Sequence, residues 1–214
     1  MPRPFPKKLR KEFAIFKKLN TPAKIQDFVN TLPFNFERPG EDTLRSPHEV
    51  LRAGKAHCIE GAMLAVAALW YHGHPPLLLD LRTTKRKPMK DWDHVVALFE
   101  VRGRWGAISK TNHAVLRYRE PIYRDVRELA MSYFHEYFLD SGLKTLREYS
   151  VPFDLCRFGD GTAWLAAIDD LWDVEAALDA SRHYSVLTPA AIKNLRLADP
   201  VERKAGKITE QKRR

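Results

Sequence analysis

The fold is decided by one stretch of sequence, Cys58-Ile59-Glu60-Gly61-Ala62-Met63-Leu64-Ala65-Val66-Ala67-Ala68-Leu69-Trp70. This stretch is apolar on nearly every side, and a helix of that kind is expected to be wrapped by other elements. It is too short to cross a bilayer, so it predicts a core helix. Gly73 is well placed to end the helix, because glycine favours the left-handed conformation found just beyond helix ends. We therefore expect a buried central helix whose first residue is a cysteine.

Three strand candidates follow the central helix. They are Leu77 to Arg82, Asp93 to Val101 and Arg104 to Ser109. The pair Arg102-Gly103 between the last two is a hairpin signal, and a charged loop, residues 83–92, joins the first two. Side chains alternate along a strand, so His94 is expected on the face opposite Val95 and Phe99. These patterns predict a small antiparallel sheet.

Further helices are predicted on both sides of this unit. Each begins at a capping signal or carries apolar residues at three-and-four spacing. Two start near Thr21-Pro22 and Ser46-Pro47, and two more cover residues 125–138 and 164–180. One apolar helix packed on a small antiparallel sheet, with more helices around it, is an α+β architecture.

The positive charge of the chain is concentrated at its two ends. The net charge is +9, yet residues 1–18 hold seven basic residues against one acidic residue, and residues 201–214 hold six against two. The body, residues 19–200, is left almost neutral, so we expect one domain there between a basic N-terminal tail and a basic C-terminal tail. Such tails are usually solvated and attract polyanions weakly and in a salt-dependent way.

The absence of certain sequence patterns predicts the cellular location of the protein, the state of its thiols and its metal content. No signal-peptide pattern is visible, which favours a cytoplasmic location and no membrane partner. Cys58 and Cys156 are then expected to remain free thiols, with Cys156 a packing residue. The histidines do not show the paired spacing of a metal site, so no metal and no cofactor is expected. The histidines considered for such a site are His57, His72, His74, His94 and His113.

Cys58 and His94 are the candidate catalytic residues. A thiol on the first turn of a helix lies at the positive end of the helix dipole, which favours the thiolate. If the fold places His94 next to this thiol, the two residues form a nucleophile and its general base. The base needs a partner for its far ring nitrogen, and the hairpin offers Ser109, with Asn112 just beyond.

A set of short segments resembles the transglutaminase-like branch of the papain-like cysteine fold. These are Gly54-Lys55-Ala56-His57-Cys58-Ile59-Glu60-Gly61-Ala62, Leu69-Trp70-Tyr71-His72-Gly73-His74-Pro75, Asp93-His94-Val95 and Gly103-Arg104-Trp105. The resemblance covers residues 46–112, about a third of the chain, and rests on the order and spacing of motifs that are each weak alone.

The resemblance implies a cysteine-dependent amide hydrolase or acyl transferase with a peptide or protein amide as substrate. Cys58 matches the family nucleophile and His94 the family base. Ser109 occupies the position of the family acid, and a serine accepts a hydrogen bond without bringing a charge. Asn112 is the other candidate to orient His94, as asparagine does in papain-like relatives.

Three functions remain open on the sequence alone. The first is the active thiol hydrolase or acyl transferase. The second is a catalytically inactive relative, a scaffold or peptide-binding module that kept the groove and lost the acid. The third, a nucleic-acid binder, would act through the two basic tails. The sequence carries no signal for the oligomeric state.

Overall fold

The computed structural model describes residues 3–38, 40–85 and 91–211. Half of the charged loop predicted at 83–92, residues 86–90, lies outside the described residues, and so does the basic end, residues 212–214. The predicted α+β class is confirmed, with one antiparallel sheet and helices around it. Within the described ranges no helix is both long and apolar enough to span a membrane.

Seven α-helices lie in the described part of the chain. They are α1 Pro22–Thr31, α2 Pro47–Ala53, α3 Cys58–Tyr71, α4 Val126–Ser132, α5 Trp172–Ala180, α6 Pro189–Lys193 and α7 Pro200–Gly206. The first two begin as predicted, because the hydroxyls of Thr21 and Ser46 accept hydrogen bonds from backbone amides of the first turn. A proline follows each cap, where its missing N–H costs the helix no hydrogen bond.

One sheet holds seven strands in the described residues. They are β1 Leu77–Thr83, β2 His94–Val101, β3 Arg104–Ile108, β4 Arg119–Tyr123, β5 Leu146–Ser150, β6 Phe153–Asp154 and β7 His183–Ser185. The order is β4-β3-β2-β1-β5-β7, with β6 also pairing β1. The predicted hairpin is confirmed, since Arg102 and Gly103 join β2 to β3 with φ values of 51° and 73°. Positive φ values at both turn residues give the turn a twist that matches the right-handed twist of the two strands.

The central helix α3 is buried along almost its whole length, as predicted. Every residue from Ile59 to Tyr71 is buried, between the sheet on one side and α1 and α2 on the other. A Cβ atom at Gly61 would lie 2.4 Å from Cβ of Lys110. Only glycine therefore lets the segment after β3 pass so close to the first turn of α3.

The sheet separates two apolar cores. Val95 and Phe99 of β2 pack with α3, whereas Val96 and Leu98 pack in the second core with α4. The alternation predicted for β2 is confirmed for these four residues. His94 begins the strand, so it lies at the end of the sheet, where the first turn of α3 meets it.

The basic N-terminal segment is not the solvated tail that the charge pattern predicted. Phe5, Phe13 and Phe16 are buried, and the Phe5 ring lies 5.4 Å from that of Trp70 at the C-terminal end of α3. The Arg10 guanidinium stacks 4.4 Å from the Tyr71 ring centroid. The prediction was wrong because aromatic residues placed among the basic ones cover the end of the central helix.

The C-terminal segment is also docked on the domain, contrary to the predicted tail. After α7, Thr209 pairs with His113 in an isolated antiparallel bridge. Gln211 exchanges hydrogen bonds with the Asn112 side chain and accepts one from the Phe34 amide. These polar contacts hold the end of the described chain against the segment that follows β3.

Two predicted helices are shorter than their apolar spacing suggested. The first ends at Ser132 and passes through a 3-10 turn at Phe134–Glu136, and beyond it Tyr137 accepts a backbone hydrogen bond from Thr145. The second starts only at Trp172. The segment before it holds a 3-10 turn at Ala163–Leu165 and no further regular structure. The Leu44 backbone accepts a hydrogen bond from the Leu171 N–H and donates one to the Asp170 carboxylate. Tertiary hydrogen bonds override the local periodicity in both places.

Candidate active site

Cys58 is the first residue of α3, and the residue is half-buried. The residue before it, His57, caps the helix in an extended conformation, with φ −94° and ψ −171°. The first amides of a helix lack intrahelical acceptors and carry a partial positive charge. The sulfur therefore sits at the only place on this buried helix where a thiolate is both reachable and favoured.

His94 is buried at the start of β2 and is held by Ser109. The His94 Nε2 and Ser109 Oγ atoms are 2.8 Å apart, and the Ser109 hydroxyl donates to the Leu116 carbonyl at 2.6 Å. Because the single hydroxyl proton goes to that carbonyl, His94 Nε2 must be the donor to Ser109. This leaves His94 Nδ1 for the hydrogen bond that joins the imidazole to Cys58.

Ser109 is itself fixed from two directions. Its backbone N–H and C=O exchange hydrogen bonds, both 2.9 Å long, with the side-chain amide of Gln26 on α1. Leu116 has the left-handed φ of 62°, an uncommon value for a leucine, and its N–H donates to a Glu136 carboxylate oxygen at 2.8 Å. A strained residue kept in place by its neighbours is typical of functional sites. The Leu116 carbonyl is thereby aimed at Ser109.

Asn112 does not reach His94. Its amide nitrogen donates to the Gln211 carbonyl and its oxygen accepts from the Gln211 amide, both at 3.0 Å. The expectation that Asn112 orients His94 is therefore replaced by a role in docking the C-terminal segment. The physical reason is that Ser109 already occupies the far ring nitrogen of His94.

A second histidine, His57, also contacts the thiol, although the sequence indicated it only as a candidate metal ligand. The His57 side chain hydrogen-bonds with Cys58, while its Nε2 atom lies 2.8 Å from the Thr43 carbonyl. Carboxylate oxygens of Glu37 and Glu60 lie 3.5 Å and 3.6 Å from the same nitrogen. The signal that was available is a histidine directly before a cysteine at a helix start.

The two histidines change the acidity of the thiol. Burial works to raise the pKa of Cys58, but hydrogen bonds from His57 and His94 outweigh it and lower the pKa to about 5. Burial likewise works to lower the pKa of His57, while the Cys58 thiolate, Glu60 and the Thr43 carbonyl raise it to about 9. At neutral pH the site holds a thiolate beside an imidazolium, which is the form of cysteine that attacks carbonyl carbon.

Glu60, in the first turn of α3, holds the His57 backbone and the segment around Thr43 in place. The residue is fully buried. One carboxylate oxygen accepts from the His57 backbone N–H at 3.1 Å, and the other accepts from Arg45 and Thr43. A carboxylate in the first turn also favours the helix dipole, the role expected for it from the sequence. In the structure it holds His57 against Cys58 as well.

Trp92 and Glu175 lie in the segment just before β2 and on α5. Trp92 is 77% exposed just before β2, and its carbonyl accepts a hydrogen bond from the buried Tyr137 hydroxyl. Burial raises the pKa of Glu175 on α5, and the charges of Asp179 and Cys58 add to that rise. The charges of Glu175 and Cys58 therefore act on each other.

Two groups of ligand-type side chains among the described residues have the spacing of a cation site. They are Glu37 with His57 and Glu60, and Asp80 with Asp93 and Asp179. The His57 Nε2 atom donates its proton to the Thr43 carbonyl, so it presents no lone pair to a metal. In the second group Asp93 already accepts from the backbone and hydroxyl of Thr83. Neither group supplies a reason to place a metal there.

No protein-family model matches this sequence. No curated protein matches it either. Among solved structures the chain is similar to Legionella pneumophila LapG, with 16% identity and a TM-score of 0.35, over 50% of this chain and 66% of LapG. The EGTA-treated form of LapG gives 17% identity and a TM-score of 0.35, over 50% of this chain and 63% of LapG. The chain thus matches less than two thirds of LapG. Because this similarity is weak, the description of the site rests on the geometry of this chain alone.

Proposed function

We propose that this protein is a cysteine-dependent amide hydrolase or acyl transferase of the transglutaminase-like type, with Cys58 as nucleophile and His94 as the acid–base residue. The observation that carries the proposal is the hydrogen-bonded series Cys58, His94 and Ser109 at the start of a buried helix. A nucleophile, a base and a group that orients the base are the parts that acyl transfer requires. A peptide or protein amide is the proposed substrate.

The reaction follows from these roles. The Cys58 thiolate, whose proton has passed to His94 Nδ1, forms a bond to the carbonyl carbon, and the carbonyl electron pair moves to the oxygen. When this intermediate collapses, the carbon–nitrogen bond breaks and the leaving nitrogen takes the proton from His94 Nδ1. Water or a second amine then gives a proton back to His94 and attacks the thioester, and the carbon–sulfur bond breaks to regenerate the thiolate.

Ser109 sets the tautomer of His94 without adding charge. Because the Ser109 hydroxyl accepts from His94 Nε2, the other nitrogen is free to exchange the proton of the reaction. The backbone N–H of Cys58, on the first helical turn, is the proposed donor to the developing oxyanion. Both groups belong to rigid elements, so the geometry is set before substrate binds.

A second candidate is a catalytically inactive relative that binds peptides or serves as a scaffold. The neutral Ser109 in the position of the family acid favours it, since an imidazolium at His94 then lacks a charged partner. Under this alternative Cys58→Ser leaves partner binding intact and no acyl-enzyme forms. The cytoplasmic location, and weak polyanion contact through the basic ends, remain predictions from the sequence.

Acyl-enzyme formation tests the proposal without knowledge of the natural substrate. The protein is mixed with p-nitrophenyl acetate, and the mass of the intact chain is followed by mass spectrometry. We expect one acetyl group on Cys58, released more slowly than it forms, and none in Cys58→Ser. The matched control Cys156→Ser should acylate like the wild type. Acetylation that persists in Cys58→Ser, or that is absent from the wild type, contradicts the proposed activity.

A further inference from the structure

Two imidazoles flank the Cys58 sulfur, and their surroundings differ in charge. The far nitrogen of His94 meets only the neutral hydroxyl of Ser109. The far nitrogen of His57 meets the Thr43 carbonyl at 2.8 Å, with carboxylate oxygens of Glu37 and Glu60 at 3.5 Å and 3.6 Å. The negative charge that is missing beside His94 is therefore present beside His57.

We propose that His57 is a second catalytic residue, whose imidazolium supplies the fixed positive charge beside the sulfur while His94 carries the proton that moves. The proposal rests on the proposed function, because it assigns the two histidines separate roles in the same acyl transfer. A carbonyl and two carboxylates around one N–H favour the protonated ring. The Ser109 hydroxyl adds no charge beside His94, which takes and gives the proton in the proposed reaction.

The charges that face His57 come from several elements, and most are negative. Glu60 lies on α3, Glu37 lies in the segment between α1 and α2, and Glu175 on α5 interacts electrostatically with both His57 and Cys58. Arg45 is the opposing cation, and it binds the Glu60 oxygen at 3.2 Å. Two further groups face the sulfur, namely His94 from β2 and Tyr137 from the segment after α4. The surplus of carboxylates offsets the cost of a buried imidazolium.

His57 takes no part in the transfer of the proton. Its Nε2 proton stays on the Thr43 carbonyl, and its side chain stays hydrogen-bonded to Cys58 until the thiolate attacks. As charge leaves the sulfur for the carbonyl oxygen, the imidazolium remains beside the reacting atoms. His94 alone gives its Nδ1 proton to the leaving nitrogen. This division lets a site with serine in the position of the acid keep a thiolate at neutral pH.

The pH profile of Cys58 alkylation by iodoacetamide tests the role of His57 without any amide substrate. In His57→Gln we expect the midpoint of the profile to rise by about one to two pH units, because a neighbouring positive charge is lost. The exposed histidine variant His135→Gln should keep the wild-type midpoint. Glu37→Gln, which leaves His57 in place, should raise the midpoint by a smaller amount. An unchanged midpoint in both His57→Gln and Glu37→Gln overturns the proposal.

A measurement on the otherwise intact protein covers the case in which His57→Gln does not fold. The His57 ring is followed by NMR as pH is raised, in the wild type and in Cys58→Ser. We expect His57 to stay protonated up to about pH 9 in the wild type, and to lose its proton at lower pH when the thiolate is absent. Titration at the same pH in both proteins overturns the proposal.

These experiments separate the role of His57 from the proposed activity. If acetylation of Cys58 fails while the alkylation midpoint moves in His57→Gln, the amide chemistry is wrong and the role of His57 in forming the thiolate is retained. If acetylation of Cys58 is seen while the midpoint stays fixed, the activity stands and His57 is only a helix-capping residue.

Discussion

The two cysteines of this chain are alike in exposure and opposite in acidity. Both are free and partly exposed, and both lie in the first turn of a helical segment. Burial raises the pKa of Cys156 to about 11, helped by the charge of Asp154. At Cys58 two imidazoles overcome burial and lower the pKa to about 5.

The comparison shows that neighbours, more than position, decide the reactivity of a cysteine. Cys156 lies in a single 3-10 turn, Leu155–Arg157, whose preceding carboxylate accepts the Cys156 backbone N–H at 2.9 Å. That carboxylate consumes the donor that would have favoured a thiolate and adds a like charge. Cys58 begins a long helix and has a ring nitrogen on two sides. The same residue type thus packs beside the core at Cys156 and is the proposed nucleophile at Cys58.

Exchanging sulfur for oxygen at each cysteine gives the largest expected contrast. Cys58→Ser should lower acyl-enzyme formation by about a thousandfold or more, because the hydroxyl is far less acidic than the thiol. Cys156→Ser should stay within about twofold of the wild type, since its sulfur serves packing. The rate is read from intact-mass spectra. Equal losses in the two variants would break the contrast between the cysteines.

Removing the proton carrier should have the next largest effect. His94→Gln should slow amide turnover by about a hundredfold to ten-thousandfold, because the leaving nitrogen loses its proton donor. Alkylation of Cys58 should fall much less, since His57 still contacts the sulfur. The exposed His135→Gln serves as control, and both rates are measured on the same preparations. A turnover rate that survives His94→Gln would remove this residue from the mechanism.

The pH dependence of turnover should sharpen the contrast further. The pKa of Cys58 is lowered, so the thiolate exists above about pH 5 and is lost as pH falls through that value. The pKa of His57 is raised, so its positive charge exists below about pH 9 and is lost as pH rises through that value. Turnover should therefore form a plateau between these limits, with each limb belonging to the coupled pair. A single rise near the ordinary thiol range would contradict the account.

The smallest effect is expected at the residue that orients His94. Ser109→Ala removes one hydrogen bond, worth about 1 kcal/mol, so turnover should fall about fivefold. Asn112→Ala is the matched control, because it lies three residues away and bonds Gln211 instead. It should leave turnover within about twofold. Steady-state rates on a chromogenic amide provide the measurement, and a greater loss for Asn112→Ala than for Ser109→Ala would restore Asn112 as the orienting residue.

The elements with strong local patterns were predictable from the sequence. An apolar run ended by Gly73 determined α3, and the Arg102-Gly103 pair determined the hairpin of β2 and β3. The order of Cys58 and His94 along these elements was enough to expect them at one place. The N-terminal segment was missed because its aromatic side chains act through packing on α3, which charge counts do not register.

The role of His57 was beyond the sequence for a physical reason. Its partners Thr43 and Glu37 lie in the segment before α2, which has no regular structure of its own. That segment is placed by pairing of Phe34 with Ala56 just ahead of the helix. Contacts between distant parts of the chain thus complete the surroundings of the thiol. Asn112 was misassigned for the same reason, because its partner Gln211 lies near the opposite end of the chain.

The central claim is that Cys58 is a thiolate at neutral pH and Cys156 is not. Competitive alkylation of the two cysteines tests it most directly. The wild-type protein is treated with limiting iodoacetamide near pH 6, and labelling of Cys58 and Cys156 is counted by peptide mass spectrometry. At this pH the thiolate fraction of Cys58 is about 10⁵ times that of Cys156. A more acidic thiol forms a less nucleophilic thiolate, which reduces the rate advantage of Cys58 by a factor of roughly 10²–10³. The account therefore predicts that Cys58 is labelled about a hundredfold faster. Labelling of both cysteines at the same rate would contradict it.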